Sequence, residues 1–400
     1  MWQQIRDNRI RSAVLTAAMG LLLLLLGYFL GIYFMGDGVA GLVIALVVWA
    51  VMTLVAYFQG DGIFLALSRA KKISRDDHPR LYNIVEEMKI ASGLEKMPEI
   101  YIIDDPALNA FATGRDPNKA AVAVTTGLLQ SLNRDELQGV IGHELSHIKN
   151  RDVLLMAMCG VLLGAVVMLS WQASRMMFFG GVPGGRRRSS GGGQGQIIVL
   201  IIGVALMILA PIFAELIYFA ISRKREYLAD ASSALYTRYP EGLASALEKI
   251  AGSTAQLQSA NQATAPMYTV NPFRQKGRPA RDLTSTHPPI SERIRILRGM
   301  SGASLEDYNQ AYRSAHGGRR GIIAGAAGQP AVSRRAPAAE AGPAAPEARL
   351  ARTRETSDLM WRLNQYRTIA CECGTRLRVP PGFTGAAVRC PHCGRVHRVG

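Results

Sequence analysis

The chain of 400 residues is 48% hydrophobic and only 19% charged, with a mean hydropathy of +0.10, which excludes both a disordered chain and a purely soluble polar one. Its formal net charge is +16, and residues 311–400 carry fifteen arginines and no lysine against five acids. A basic tail of this kind suits the negatively charged surface of a lipid bilayer and makes nucleic acid the poorer partner.

The apolar residues are clumped. Four uncharged stretches, Ala13 to Met35, Gly38 to Phe58, Val153 to Trp171 and Ile197 to Ala214, are each long enough to cross a bilayer as a helix. The first has too long an apolar run for a signal peptide and is followed at once by a second span, so it reads as a retained anchor. Arg6, Arg9 and Arg11 precede the first span and Arg69, Lys71, Lys72 and Arg75 follow the second, which puts the N-terminus and residues 59–152 on the cytoplasmic side. Arg175 and Arg186 to Arg188 would then face outward, so the last two stretches either cross despite that charge or enter as a hairpin without crossing.

Between the two pairs of spans the pattern is mixed α and β. A helix is expected from Pro79 to Gly93, strands over Glu99 to Ile103, Asn109 to Thr113 and Ala120 to Thr125, and a helix opening at Asn133 with an Asn-x-x-Glu capping box to Glu136. Leu137, Val140, Ile141, Leu145 and Ile148 give that helix one apolar face. Further helices are expected over Ser222 to Tyr236, Glu241 to Ile250 and Ile290 to Leu297, with residues 252–285 a candidate substrate-gating loop. Residues 317–360, rich in Ala, Gly, Pro and Arg, read as a disordered linker, and residues 361–400 as a separate small module.

The strongest chemical signal is His143-Glu144-Leu145-Ser146-His147. Residues four apart share a helix face, so both imidazoles can hold one zinc ion while Glu144 serves as base toward a water. Glu226, just past the fourth apolar stretch, is the candidate third ligand, because a hairpin of the last two spans would return its helix beside the first. Asp230, one turn further, can accept an imidazole N–H and fix a ligand's tautomer. In the tail, Cys371-Glu372-Cys373-Gly374 and Cys390-Pro391-His392-Cys393-Gly394 form a zinc-ribbon-like pattern with one knuckle a residue short, His392 and His397 being alternative ligands.

Asn109 to Gly114, His143 to Asp152, Ser222 to Asp230, His287-Pro288-Pro289 and Glu292-Arg293-Ile294 together resemble the HtpX family of membrane-bound zinc metalloproteases, relatives of the CaaX prenyl proteases. The resemblance spans residues 1–297. It implies four transmembrane helices and a cytoplasmic zincin-like α+β domain over residues 59–316, interrupted by a membrane hairpin at 153–221 and anchored by two helices within residues 1–58. It also implies zinc ligands His143, His147 and Glu226, a general base in Glu144, an oxyanion-stabilising His287, and an edge strand, Asn109, Ala110, Phe111 and Ala112, on which substrate backbone is laid. An inner-membrane endopeptidase acting on misfolded or damaged membrane proteins follows from the same resemblance. Its rivals are a CaaX-type prenyl protease and a non-catalytic scaffold presenting the ribbon, whose four cysteines would hold a second, structural zinc.

Overall fold

The computed structural model describes residues 2–152, 166–171, 174–175, 193–255, 288–318, 320–328, 330–338 and 346–399. Two long helices open the chain, α1 (Trp2–Met35) and α2 (Gly38–Leu67), joined by a turn in which the Asp37 carboxylate caps α2 by accepting from Val39 N at 2.8 Å. Within them Thr16–Met35 and Gly38–Val55 are long and apolar enough to cross a membrane. Small residues set their contact: Gly27 and Gly31, four apart on α1, face Gly41 and Ala45 on α2, and a Cβ at Gly31 would stand 2.6 Å from Gly41 Cα. The outward side of α2 exposes Val43, Ile44, Val47, Val51 and Leu54, a stripe that water would not favour and lipid would.

A four-stranded sheet follows: β1 (Lys71–Ile73), β2 (Glu99–Ile103), β3 (Ala110–Gly114) and β4 (Ala120–Thr125), in the order β1-β2-β4-β3, with β2 and β4 parallel and the other pairs antiparallel. The two-residue period divides it cleanly. Ile100, Ile102, Ala110, Ala112, Val122 and Val124 point into the main core, while Phe111 and Ala123 turn to the other side and pack near Leu65 at the end of α2. That second contact joins the sheet to the end of α2.

Helices α3 (Pro79–Ser92), α4 (Thr126–Ser131) and α5 (Arg134–Lys149) cover the main core. The capping box of α5 is formed, Glu136 N donating to Asn133 Oδ1 at 2.9 Å and Asn133 N to Glu136 Oε2 at 2.8 Å, and its five expected apolar residues are buried. Helix α6 (Gly193–Thr237) is continuous over 45 residues despite Pro211, so the fourth apolar stretch runs directly into Glu226. Of the third stretch, residues 153–165 lie outside the described residues; Leu169 and Val204 pack around Leu26 of α1. Helices α7 (Pro240–Gly252), α8 (Ile290–Arg298) and α9 (Leu305–His316) close the domain. The proposed gating loop falls almost wholly outside the described residues.

The expected disordered linker is corrected by the structure. Ile323 and Ala326 enter the core, and Arg335 ties α5 to the end of α6: it bonds Asp135 Oδ1 at 2.5 Å and Gln138 Oε1 at 2.8 Å on one side and donates to Thr237 O at 2.9 Å on the other. Helix α10 (Pro346–Leu363) then buries Leu359 and Met360 in the same core, and Lys71 bonds Asn364 at its end. Composition averages over a segment, whereas a few well-placed anchors decide whether it docks. The chain ends in two hairpins, β5 (Arg367–Ala370) with β6 (Arg376–Val379) and β7 (Ala387–Arg389) with β8 (Val396–Arg398).

Candidate metal centre

The packing of α5 on α6 brings the expected ligands together. It is close because small residues meet: a Cβ at Gly142 would lie 3.2 Å from Ser233 Oγ, and that hydroxyl donates to Gly139 O at 2.6 Å. His143 and His147 project from one face of α5, their Nε2 atoms 3.2 Å apart. Glu226 on α6 closes the triangle, with Oε2 3.6 Å from His143 Nε2 and Oε1 3.4 Å from His147 Nε2. Glu144, between the two histidines in sequence, is buried.

Each histidine presents its other nitrogen to a buried carboxylate. His143 Nδ1 is 3.0 Å from Asp230 Oδ1, the contact expected of Asp230, and His147 Nδ1 is 3.3 Å from Asp152 Oδ2. In the neutral tautomer that donates Nδ1–H outward from both rings, the two Nε2 lone pairs would point toward each other and toward a carboxylate, a repulsion that a metal ion or added protons between them resolves. The edges fit: donors about 2.0–2.1 Å from a tetrahedral zinc stand about 3.3 Å apart, against 3.2, 3.4 and 3.6 Å here. Three protein donors leave one position for a water or substrate oxygen.

The field of the site is cation-seeking. Burial alone would lower the His147 pKa, yet the bonds from Asp152 and Glu226 and their charges override it and hold it up at about 10; His143 is raised in the same way by Asp230 and Glu226. Arg293, fully buried, restrains this negative charge. It grips Asp230 in a fork, Nε to Oδ2 at 2.8 Å and Nη2 to Oδ1 at 2.6 Å, and reaches Glu226 Oε2 with Nη1 at 3.2 Å. Against the upward push of burial, the Arg293 charge and the His143 bond keep the Asp230 carboxyl below its ordinary range.

Arg293 and Asp152 are the residues that reading for ligands missed. The signal for Arg293 was present: with Ile290, Ile294 and Leu297 it occupies the i, i+3, i+4, i+7 positions of an amphipathic helix, and an arginine at a core position requires buried carboxylates. Asp152 follows Arg151, which turns the chain at φ +58, so no helical period leads to it. The edge strand is displaced by one residue from expectation, β3 starting at Ala110; it ends the sheet order and packs beside α5, with Asn109, Ala110, Phe111 and Ala112 all buried. His287 lies outside the described residues.

The four tail cysteines also converge. Cys371 Sγ lies 3.4 Å from Cys393 Sγ and Cys373 Sγ 3.7 Å from Cys390 Sγ, near the roughly 3.8 Å edge of a tetrahedron with zinc–sulfur bonds of about 2.3 Å. The missing residue of the first knuckle is absorbed in its turn: Gly374 N donates to Cys371 O three residues back, where Gly394 N reaches Cys390 O four back, and both glycines take a positive φ, +87 and +75. Four sulfurs make up this cluster, without His392 or His397.

The sequence profile of peptidase family M48 matches residues 75–301. The chain is similar to the protease HtpX homolog of Streptococcus pneumoniae strain Hungary19A-6, at 44% identity over 301 residues, 75% of this chain and the whole of that protein. It is similar to that of strain Taiwan19F-14 at 45% over the same shares. Among solved structures, S. mikatae Ste24p aligns with a TM-score of 0.40 and 20% identity over 74% of this chain and 67% of that one. A profile covering more than half of the chain, joined to relatives matched along their full length, places it: this chain belongs to peptidase family M48 and is a metalloprotease of the HtpX type.

Proposed function

We propose that this chain is a membrane-anchored zinc endopeptidase whose ligands are His143, His147 and Glu226 and whose general base is Glu144. The observation that carries the reading is the triangle of Nε2, Nε2 and carboxylate with both Nδ1 atoms engaged from behind. Zinc held there polarises a scissile carbonyl and brings the pKa of water toward neutrality. The protein's own part is positional. His143 and His147 are held in one tautomer by Asp230 and Asp152, and Arg293 fixes the Glu226 carboxylate. Glu144 takes the proton of the attacking water and returns it to the leaving amine, and His287 supplies an imidazole to the oxyanion. Substrate backbone lies along Asn109 to Ala112, supported by the place of β3 at the end of the sheet and beside α5.

Four spans, an inner-membrane location and a cytoplasmic active site belong to this reading, supported by the basic residues flanking the apolar stretches of α1 and α2 and by the run of α6 from its apolar half into the site. So do misfolded or damaged membrane proteins as substrates, and a structural zinc in the cysteine cluster. The test uses full-length protein purified in detergent under chelation and then given zinc. Wild type is expected to cleave an unfolded protein, and Glu144→Ala to retain zinc while failing to cleave. Equal cleavage by both would remove the proposed base.

A further inference from the structure

The Asp152–Arg225 pair occupies a place in the chain that no ligand role explains. Asp152 is the last residue before the third apolar stretch, and Arg225 emerges just after the fourth. Both are buried, Arg225 Nη1 lying 3.1 Å from Asp152 Oδ1 and 3.3 Å from Asp152 O, while Asp152 Oδ2 faces His147 Nδ1 at 3.3 Å. Asp152, just past α5, and Arg225, on α6, are therefore clasped by one ion pair, and the second carboxylate oxygen of Asp152 faces the His147 ring.

We infer that Asp152, held by Arg225, is a positioning residue for His147, and that Arg225 acts on the metal centre through it. The inference rests on the proposed metal site. A buried carboxylate bonded to a ligand's distal N–H fixes the ring's orientation and raises its basicity. The arrangement repeats the one around the other ligand, where Asp230 backs His143 and Arg293 holds Asp230. The two differ in attachment: Arg293 comes from α8, whereas Arg225 comes from α6, one residue before Glu226.

The experiment measures cobalt(II) and zinc affinity of the full chain in detergent by competition with a chelator, reading the imidazole–carboxylate cobalt absorption apart from the thiolate bands of the cysteine cluster. Asp152→Asn and Arg225→Gln are expected to weaken metal at this site about 10- to 100-fold, with the metal-free protein still unfolding cooperatively, at a lowered midpoint, and the thiolate bands intact. Arg225→Lys, which retains the charge, should recover most of the affinity. Should Asp152→Asn fail to accumulate as folded protein, Arg225→Gln carries the same test without touching the group bonded to His147. Wild-type affinity in both variants would overturn the inference. Wild-type cobalt absorption at this site that His147→Ala leaves unchanged would instead overturn the metal site on which it rests.

Discussion

The two candidate ligand clusters are built by opposite means. His143, His147 and Glu226 come from two helices distant in sequence, contribute mixed nitrogen and oxygen donors, and sit among buried carboxylates and arginines. The four cysteines come from two short turns, contribute four like donors, and have only Leu377 fully packed beside them, with Ile369 and Val388 at the margin. Three donors with an open position suit chemistry, and four thiolates close a site. The inner cluster depends on a fold already made by the sheet and helices; the outer one, with a metal bound, would substitute for a core too small to hold two hairpins.

The largest effect that sharpens this contrast is on turnover. Glu144→Gln should keep metal at the inner site and lower kcat roughly 10²- to 10⁴-fold, the usual share of a general base; metal content and turnover measured on the same preparation decide it, and a rate within a factor of ten of wild type would sink the assignment. No residue change in the cysteine cluster should have a comparable effect.

A second contrast concerns charge. Arg293→Met leaves Asp230 and Glu226 without their cation in a fully buried setting, and breaking such a pair costs about 3–5 kcal/mol. Arg395→Ala removes the partner of Glu372 beside the cysteines, where both groups are exposed, and should leave the unfolding midpoint unmoved. Denaturant titration of the two variants reads both outcomes, and an equal loss would show that burial is not what separates the clusters.

Arg335→Ala tests whether the tail belongs to the catalytic half. The arginine joins Asp135 and Gln138 of α5 to Thr237 of α6, so its loss loosens the two ligand-bearing helices at their far ends. Charged hydrogen bonds of this kind contribute on the order of 1.5–3 kcal/mol, and the partial exposure of Arg335 brings the expected loss to about 1–2 kcal/mol. Faster proteolysis after residue 318 in the variant than in wild type is the matching observation.

Much of this was legible in the sequence because it rests on local pattern. The capping box at Asn133, the apolar face from Leu137 to Ile148, the alternation in β2 and β4 and the four-residue spacing of the histidines each follow from a short-range rule. What was not legible depends on contacts across the chain. Arg335 finds Asp135 two hundred residues away, and Asp152 finds Arg225 at a separation of 73 residues, with no period announcing either. The tail misled for a related reason: its Ala, Pro and Arg content describes a chain without a core of its own, and Leu359 and Met360 borrow the core of the catalytic domain.

The smallest expected effect is the one that separates the clusters most sharply. Cys373→Ser removes one of four sulfurs, and thiolate sites of this kind lose much of their folding energy with their metal. The β5–β6 and β7–β8 hairpins should then lose protection in hydrogen exchange, while residues up to the end of α10 keep it, because Leu359 and Met360 are held by the domain and not by the module. Peptidase turnover per bound inner metal should be unchanged on an unfolded protein substrate. A fall in that turnover would mean that the hairpins bear on the active site, through the Lys71–Asn364 contact at the root of the sheet, and the two clusters would have to be read as one machine.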